Sequence, residues 1–97
     1  MLVIGAGHFG KNLAIKLTEL HNEVMLVDVD EEAVQKLEPF VTRVQIGDCM
    51  DKNVLVELGV CNFDVCFVCI SDNFQSSMEI TSLLKELGAT YVVAQSD

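Results

Sequence analysis

The chain has 97 residues, 51% of them hydrophobic, with 15 acidic and 6 basic side chains and a formal net charge of −9. This length suffices for one compact domain and excludes a second folded unit. Such a surface repels phosphate backbones and anionic headgroups, which argues against nucleic-acid and membrane-surface binding. No apolar run approaches the roughly 18 residues needed to cross a bilayer, so we expect a soluble protein without direct membrane insertion.

Short apolar runs rich in Val and Ile alternate with segments whose apolar residues recur at helical spacing, a pattern typical of βαβ units. Because the apolar runs contain few polar residues, we expect strands that are covered on both faces. The predicted fold is a Rossmann-like, doubly wound α/β sheet of order 3-2-1-4-5 with helices on both faces, truncated at its C-terminal end. Its strands are predicted at residues 2–4, 24–27, 44–46, 65–70 and 91–94.

The first strand leads into a G-x-G-x-x-G sequence that opens a helix, the context typical of a dinucleotide site. Gly5 permits the tight turn, Gly7 lets a pyrophosphate approach the backbone, and Gly10 lets the helix pack closely on the strand. Amide groups and the dipole at the helix start supply positive potential. The alternative is that the glycines only form a turn.

The first helix is predicted over residues 7–20. His8 lies inside the glycine turn, where it can donate a hydrogen bond to a phosphate, although a mostly neutral imidazole is a weaker anchor than arginine. We interpret His21 as a partner of the helix dipole rather than a catalytic base. The buried face is predicted to carry Phe9, Leu13, Leu17 and Leu20.

Asp28 ends the second strand, 18 residues after Gly10. A carboxylate there can accept hydrogen bonds from both ribose hydroxyls, and it repels a 2′-phosphate, which favours NAD or adenosine nucleotides over NADP. The alternative is a solvated strand end. Asp30 is predicted to cap a second helix that ends before Pro39, and Asp51 a third helix that ends near Gly59.

Two further polar segments follow the third and fourth strands, at the sheet edge where ligands bind. Asp48 either accepts from an adenine amine or a ribose, or forms a turn with Gly47. The segment Ser71-Asp72-Asn73 either borders a ligand or caps the fourth helix. That helix is predicted over residues 73–87, with Gly88 in a left-handed cap. Its apolar stripe consists of Ile80, Leu83, Leu84 and Leu87.

The cysteines suggest reduced thiols in the cytoplasm rather than disulfides. Cys61, Cys66 and Cys69 reproduce a C-x4-C-x2-C spacing known from iron–sulfur proteins. However, Cys66 and Cys69 lie three apart on a predicted strand and therefore point to opposite faces. We predict that the cysteines are small apolar core residues and that there is no metal site.

The ordered segments GAGHFG, VDVDEE, GDCMD and VCISDN and a helix ending KELGA resemble the nucleotide-binding domain of potassium-transport regulators, the TrkA-N, KTN or RCK family. The resemblance covers essentially all of residues 1–97 and implies a single, incomplete nucleotide-binding domain that binds NAD(H), ADP or ATP. It also implies a cytoplasmic homodimer, often assembled into a ring, beneath a membrane-embedded potassium channel or transporter subunit that it gates.

The resemblance also assigns roles to individual positions. Family members that respond to ATP typically carry arginine at the position of His8. The histidine of this chain departs from that pattern, which argues against a preference for a triphosphate. The implied ligand contacts are Gly5, Ala6, Gly7, His8, Phe9 and Gly10 for the phosphates, Asp28 and Asp30 for the ribose, Asp48 and Cys49 for the adenine side, Ile70, Ser71 and Asp72 from strand four, and Ala94 and Gln95 from strand five.

Two classes of function remain open. A non-enzymatic ligand sensor accounts for the lack of a persuasive nucleophile, metal-ligand cluster or acid–base pair in the sequence. The alternative is the N-terminal NAD-binding fragment of a dehydrogenase, which the fold alone does not exclude. A third possibility is that the chain lacks too much of the domain to bind a ligand. The last predicted strand is either a sheet edge or paired with something absent, which indicates a truncated domain or a partner chain that completes the sheet.

Overall fold

The computed structural model describes residues 1–70 and 73–94, and within these ranges five strands alternate with four α-helices. The strands are β1 (Leu2–Ile4), β2 (Met25–Asp28), β3 (Arg43–Ile46), β4 (Cys66–Val68) and β5 (Val92–Ala94). The helices are α1 (His8–Glu19), α2 (Glu31–Leu37), α3 (Lys52–Leu58) and α4 (Phe74–Glu86). Short 3₁₀ turns at Glu38–Phe40 and Val60–Asn62 follow α2 and α3.

The sheet is parallel throughout and has the order β3-β2-β1-β4-β5, which confirms the predicted fold. The central strand β1 pairs with β2 on one side and with β4 on the other, with Ile4 opposite both Val27 and Val68. The chain therefore reverses the direction of its strand order at β1. In open α/β sheets, ligands bind beyond the carboxyl ends of the strands at such a point.

Two apolar clusters cover the two faces of this sheet, as alternating side chains along a strand require. Helices α1 and α2 contribute Ala14 and Leu37 to one cluster, which also contains Cys69. Helices α3 and α4 contribute to the other cluster, which contains Cys66. The two cysteines are thus buried on opposite faces, as predicted. The predicted stripe of α4 is confirmed, with Ile80 and Leu84 fully buried and Leu83 and Leu87 packed beside them.

Helices α1 and α4 end in the same hydrogen-bonded motif. After α4, the Gly88 amide donates to the Lys85 carbonyl and the Ala89 amide to the Leu84 carbonyl, with Gly88 at φ +85°. After α1, His21 takes the left-handed position at φ +71°, and its amide donates to the Thr18 carbonyl. His21 is therefore primarily a backbone element of the helix end rather than only a dipole partner.

The structure corrects the predicted buried face of α1. Phe9 and Leu20 are 49% and 59% exposed, whereas the buried positions of the helix are Gly10 and Ala14. Gly10 packs directly on the Gly5 backbone, so the helix approaches the sheet too closely for large side chains to lie between them. Leu13 and Leu17 remain half-buried at the margin of the contact.

Other boundaries and burials also differ from the predictions. Strand β4 ends at Val68 rather than at residue 70, because β1 ends where Gly5 turns away and leaves no partner beyond Cys69. The outer strands β3 and β5 are largely exposed, since each has a neighbour on one side only. Cys61 is exposed in the turn after α3 and is not a core residue.

Candidate functional site

A crevice of about 560 Å³ opens beyond the carboxyl ends of β1 to β4. This volume lies within the range of sites that bind small molecules and cofactors, about 300–1,000 Å³. Six of the residues predicted for the nucleotide site line the crevice together, although they come from four separate segments of the chain. They are Gly5, Gly7, Asp28, Asp48, Cys49 and Ile70.

Each of the three glycines of the turn occupies its position for a different structural reason. Gly5 adopts φ +111°, and a Cβ atom there would lie 2.5 Å from the Cys69 carbonyl oxygen. A Cβ atom on Gly10 would overlap the carbonyl oxygen of Gly5. Gly7 has φ −70°, and no atom lies within 4 Å of the position that its Cβ would occupy. The fold thus requires Gly5 and Gly10, whereas Gly7 only keeps the adjoining space in the crevice open.

The start of α1 differs from the other helix starts in the described residues. Asp30, Asp51 and Asn73 cap α2, α3 and α4 through their side chains. Gly7 occupies the N-cap position of α1 but has no side chain that could accept a hydrogen bond from the first amides. The first turn of α1 carries no acidic residue. Since the first amides of a helix have no intrahelical acceptors, this end of α1 keeps its donors and its positive dipole end for an anion.

Asp28 joins the crevice walls through both of its carboxylate oxygens. Oδ2 accepts the backbone amide of Ala6 in the glycine turn at 2.6 Å, and Oδ1 accepts the amide of Asp30 at 3.1 Å. Its carbonyl oxygen accepts the amide of Gly47, after β3, at 3.0 Å. A carboxylate has about four lone-pair positions, so two remain for ligand hydroxyls.

The loop after β3 contributes a turn and a buried thiol. Asp48 Oδ1 accepts the amide of Met50 at 2.9 Å, and the Asp48 carbonyl accepts the amide of Asp51 at 3.0 Å, so the turn role considered for Asp48 is present. Cys49 is buried beside the crevice. Burial raises the pKa of its thiol to about 12, and the charges of Asp48 and Asp28 add to this increase. The thiol is therefore neutral at pH 7.

Among the other predicted contacts, those that the structure describes lie outside the lining of the crevice. The Ala6 amide is used by Asp28, and His8 is exposed, with its Nε2 atom 3.3 Å from Asn12 Nδ2. Phe9 is exposed and Gly10 is buried under the turn. Asp30 caps α2, accepting the amide of Ala33 at 3.2 Å, and Ala94 lies at the end of the outer strand β5. Ser71, Asp72 and Gln95 lie outside the described residues.

Some residues that line the crevice were not predicted. Val29 and Met50 follow Asp28 and Asp48 closely, and their side chains are 62% and 41% exposed. The sequence does show an apolar residue directly after the second strand at Val29, whereas Met50 lies four residues beyond β3 and had no such signal. Ser76 was also not predicted. Asn73, for which both a ligand border and a cap were considered, lines the crevice and also caps α4, because its side chain accepts the Ser76 amide at 3.0 Å.

The described part of the chain contains neither a cluster of metal ligands nor a helix that could span a membrane. Residues 1–70 and 73–94 contain no group of three or more His, Cys, Asp or Glu side chains placed to hold a metal ion. None of the helices in these ranges is both long enough and apolar enough to cross a bilayer.

Comparison with known proteins gave a family and several relatives. The model of the TrkA-N domain matches residues 1–97. Ktr system potassium uptake protein C of Bacillus subtilis is 41% identical over an alignment of 97 residues that covers 98% of this chain and 44% of that protein. Ktr system potassium uptake protein A of the same organism is 39% identical over 85 residues, 88% of this chain and 38% of that protein. The chain thus spans less than half the length of these relatives.

Solved structures with low sequence identity share the fold. The NAD(P)-binding domain of an exopolyphosphatase-related protein from Archaeoglobus fulgidus superposes with a TM-score of 0.87 at 21% identity, covering 99% of this chain and 71% of that one. The TrkA-N domain of the inner membrane protein ybaL from Escherichia coli superposes with a TM-score of 0.72 at 16% identity, covering 96% of this chain and 84% of that one.

Proposed function

The chain belongs to the TrkA-N family, and from this premise we propose that it is the nucleotide-binding regulatory domain of a potassium uptake system. The relatives that are potassium uptake proteins support the transport role. A non-enzymatic role agrees with two polar side chains of the described crevice lining, since Asp48 is engaged in a turn and Asn73 in a helix cap.

The observation that carries this proposal is the pairing of an uncapped helix start with a carboxylate across one crevice. The open backbone at Gly7 and the first amides of α1 would bind a diphosphate, and the free lone pairs of Asp28 would accept the ribose hydroxyls. Val29 and Met50 offer apolar surface for the adenine. The expected ligands are NAD(H) or an adenine nucleotide, with NADP disfavoured because its 2′-phosphate would meet Asp28.

Regulation of transport then follows from ligand-dependent assembly. A nucleotide shifts the arrangement of paired domains only if its affinity differs between two arrangements. We propose a homodimer, or a ring of dimers, on the cytoplasmic side of a membrane-embedded potassium channel or transporter subunit. The nucleotide would change the shape of this assembly and so gate ion flow.

Thermal unfolding with ATP, ADP, NAD, NADH and NADP tests the binding step. A ligand at about 100 times its Kd should add about 2.7 kcal/mol to the free energy of unfolding. We expect a rise in Tm with NAD(H) or an adenosine nucleotide and a smaller rise with NADP. The Asp28→Ala variant should lose the preference for NAD over NADP. Equal Tm values with all five ligands and without ligand would refute nucleotide binding.

A further inference from the structure

We propose that Asp28 is a positioning residue for the glycine turn, which controls the affinity for a diphosphate that it does not touch. This proposal rests on the proposed nucleotide function and extends it. A carboxylate at this position is expected to bind ribose. The hydrogen bond to the Ala6 amide is a separate interaction, made within the protein itself.

The contact is strong by geometry and environment. The N···O distance of 2.6 Å is short for an N–H donor, whose usual distance is about 2.9–3.0 Å, and the acceptor is charged. The pair is partly buried and joins residues 22 apart in the chain. Ala6 lies directly before Gly7, so this bond fixes the peptide that leads into the uncapped start of α1.

The same residue connects three segments of the crevice. Its two carboxylate oxygens hold the turn after β1 and the start of the loop after β2, and its carbonyl holds Gly47 after β3. The Gly5 amide donates to the Val27 carbonyl at 2.9 Å, which anchors the preceding residue of the turn to β2 as well. Removing the carboxylate would leave the Ala6 side of the turn without its tether to β2.

An alanine at position 28 removes both carboxylate acceptors. Its methyl side chain accepts no hydrogen bond, so the Ala6 amide and the Asp30 amide both lose their side-chain partner. If the turn then occupies its binding conformation for only a fraction of the time, the apparent Kd rises by the inverse of that fraction. The loss of a hydrogen bond worth about 1 kcal/mol corresponds to a roughly fivefold weaker affinity.

Inorganic pyrophosphate separates positioning from ribose binding, because it has no ribose. If Asp28 only bound ribose, the Asp28→Ala variant would bind pyrophosphate equally well or more tightly, since a negative charge has been removed near an anion. Positioning predicts the opposite sign, a roughly fivefold rise in the Kd for pyrophosphate measured by calorimetry or NMR titration. The matched control is Asp51→Asn, which removes one charge near the crevice while preserving the cap of α3.

Hydrogen exchange of the Ala6 amide provides a readout without ligand. We expect this amide to be protected in the wild type and in Asp51→Asn, and to exchange at least about fivefold faster in Asp28→Ala. Unchanged Ala6 exchange, or pyrophosphate binding that is unchanged or tighter in Asp28→Ala, would overturn the positioning role. A wild type that binds neither pyrophosphate nor ADP would instead refute the proposed function, while Ala6 exchange still decides the role of the tether.

Discussion

Replacing the three turn glycines one at a time with alanine separates the needs of the fold from those of the ligand. For Gly7→Ala, the backbone at φ −70° suits alanine and the new methyl group meets no protein atom. The reduced freedom of the unfolded chain favours the variant by about 0.4–1 kcal/mol, and the loss of a good N-cap residue costs a similar amount. We therefore expect the free energy of unfolding to change by less than about 0.5 kcal/mol.

The Gly10→Ala variant should behave differently. Its methyl group would overlap the Gly5 carbonyl oxygen, a backbone atom that cannot move without shifting the turn or the helix. Overpacking of this kind typically costs about 1–3 kcal/mol, and each kcal/mol lowers the Tm of a domain of this size by about 4–8 °C. Gly5→Ala combines a similar clash with a positive φ and should be at least as unstable.

Alanine at position 7, which should change the free energy of unfolding least, should have a large effect on the affinity for the ligand. A methyl group on Gly7 would project into the crevice, where we place the diphosphate against the first amides of α1. Displacing one charge-assisted hydrogen bond, worth about 1.5–3 kcal/mol, weakens binding at least tenfold. Denaturant unfolding and ADP calorimetry on the same samples make the comparison. A Gly7→Ala protein that folds normally and binds ADP with wild-type affinity would refute our placement of the diphosphate.

Three further predictions test separate features. His21→Gly should raise the Tm by about 2–4 °C in a thermal melt, because relief of the left-handed strain slightly exceeds the entropic cost of glycine, whereas His21→Val should lower it. Burial raises the pKa of Cys66 and Cys69 to about 11, and that of Cys49 to about 12, from 9.0. Between pH 9 and 11 the thiols of the unfolded chain lose their protons while those of the native state keep them. The unfolded state is therefore stabilised, and the free energy of unfolding should fall as the pH rises from 9 to 11. Cys49→Ala should flatten this decline in denaturant titrations, whereas a variant of the exposed cysteine should not. His8→Arg should strengthen ATP binding more than NAD binding in calorimetry, and equal gains would argue against a terminal phosphate beside this position.

Local signals in the sequence were sufficient for much of the fold. The alternation of Val-rich runs and helical periodicity predicted the five strands and the four helices between them, and Asp30 and Asp51 cap the helices predicted for them. These features depend on residues within a few positions of one another. The positions of Gly7 and Asp28 in the crevice could also be predicted, because the glycine spacing and the end of the second strand are both local signals in the sequence.

Features that depend on tertiary distance could not be predicted in the same way. Periodicity places Phe9 on the same helical face as Leu13, but it carries no information about how closely α1 approaches the sheet, and that distance decides which residues are buried. The hydrogen bond between Asp28 and Ala6 likewise requires two segments to meet across β1 and β2. Asp48 remained ambiguous because a turn and a ligand contact use the same acceptor oxygens.

The charge distribution is consistent with the proposed binding of an anion at one place on an acidic domain. A formal charge of −9 repels phosphates over most of the surface, and the Asp caps of α2 and α3 offset the positive dipole ends of those helices. The start of α1 has no such cap, so a diphosphate would be held there by short-range amide contacts. Asp28 would repel the phosphates but accept the ribose hydroxyls. The Asp28 carboxylate would therefore weaken the long-range attraction of the phosphates and, through its hydrogen bonds to the ribose, set the orientation of the nucleotide.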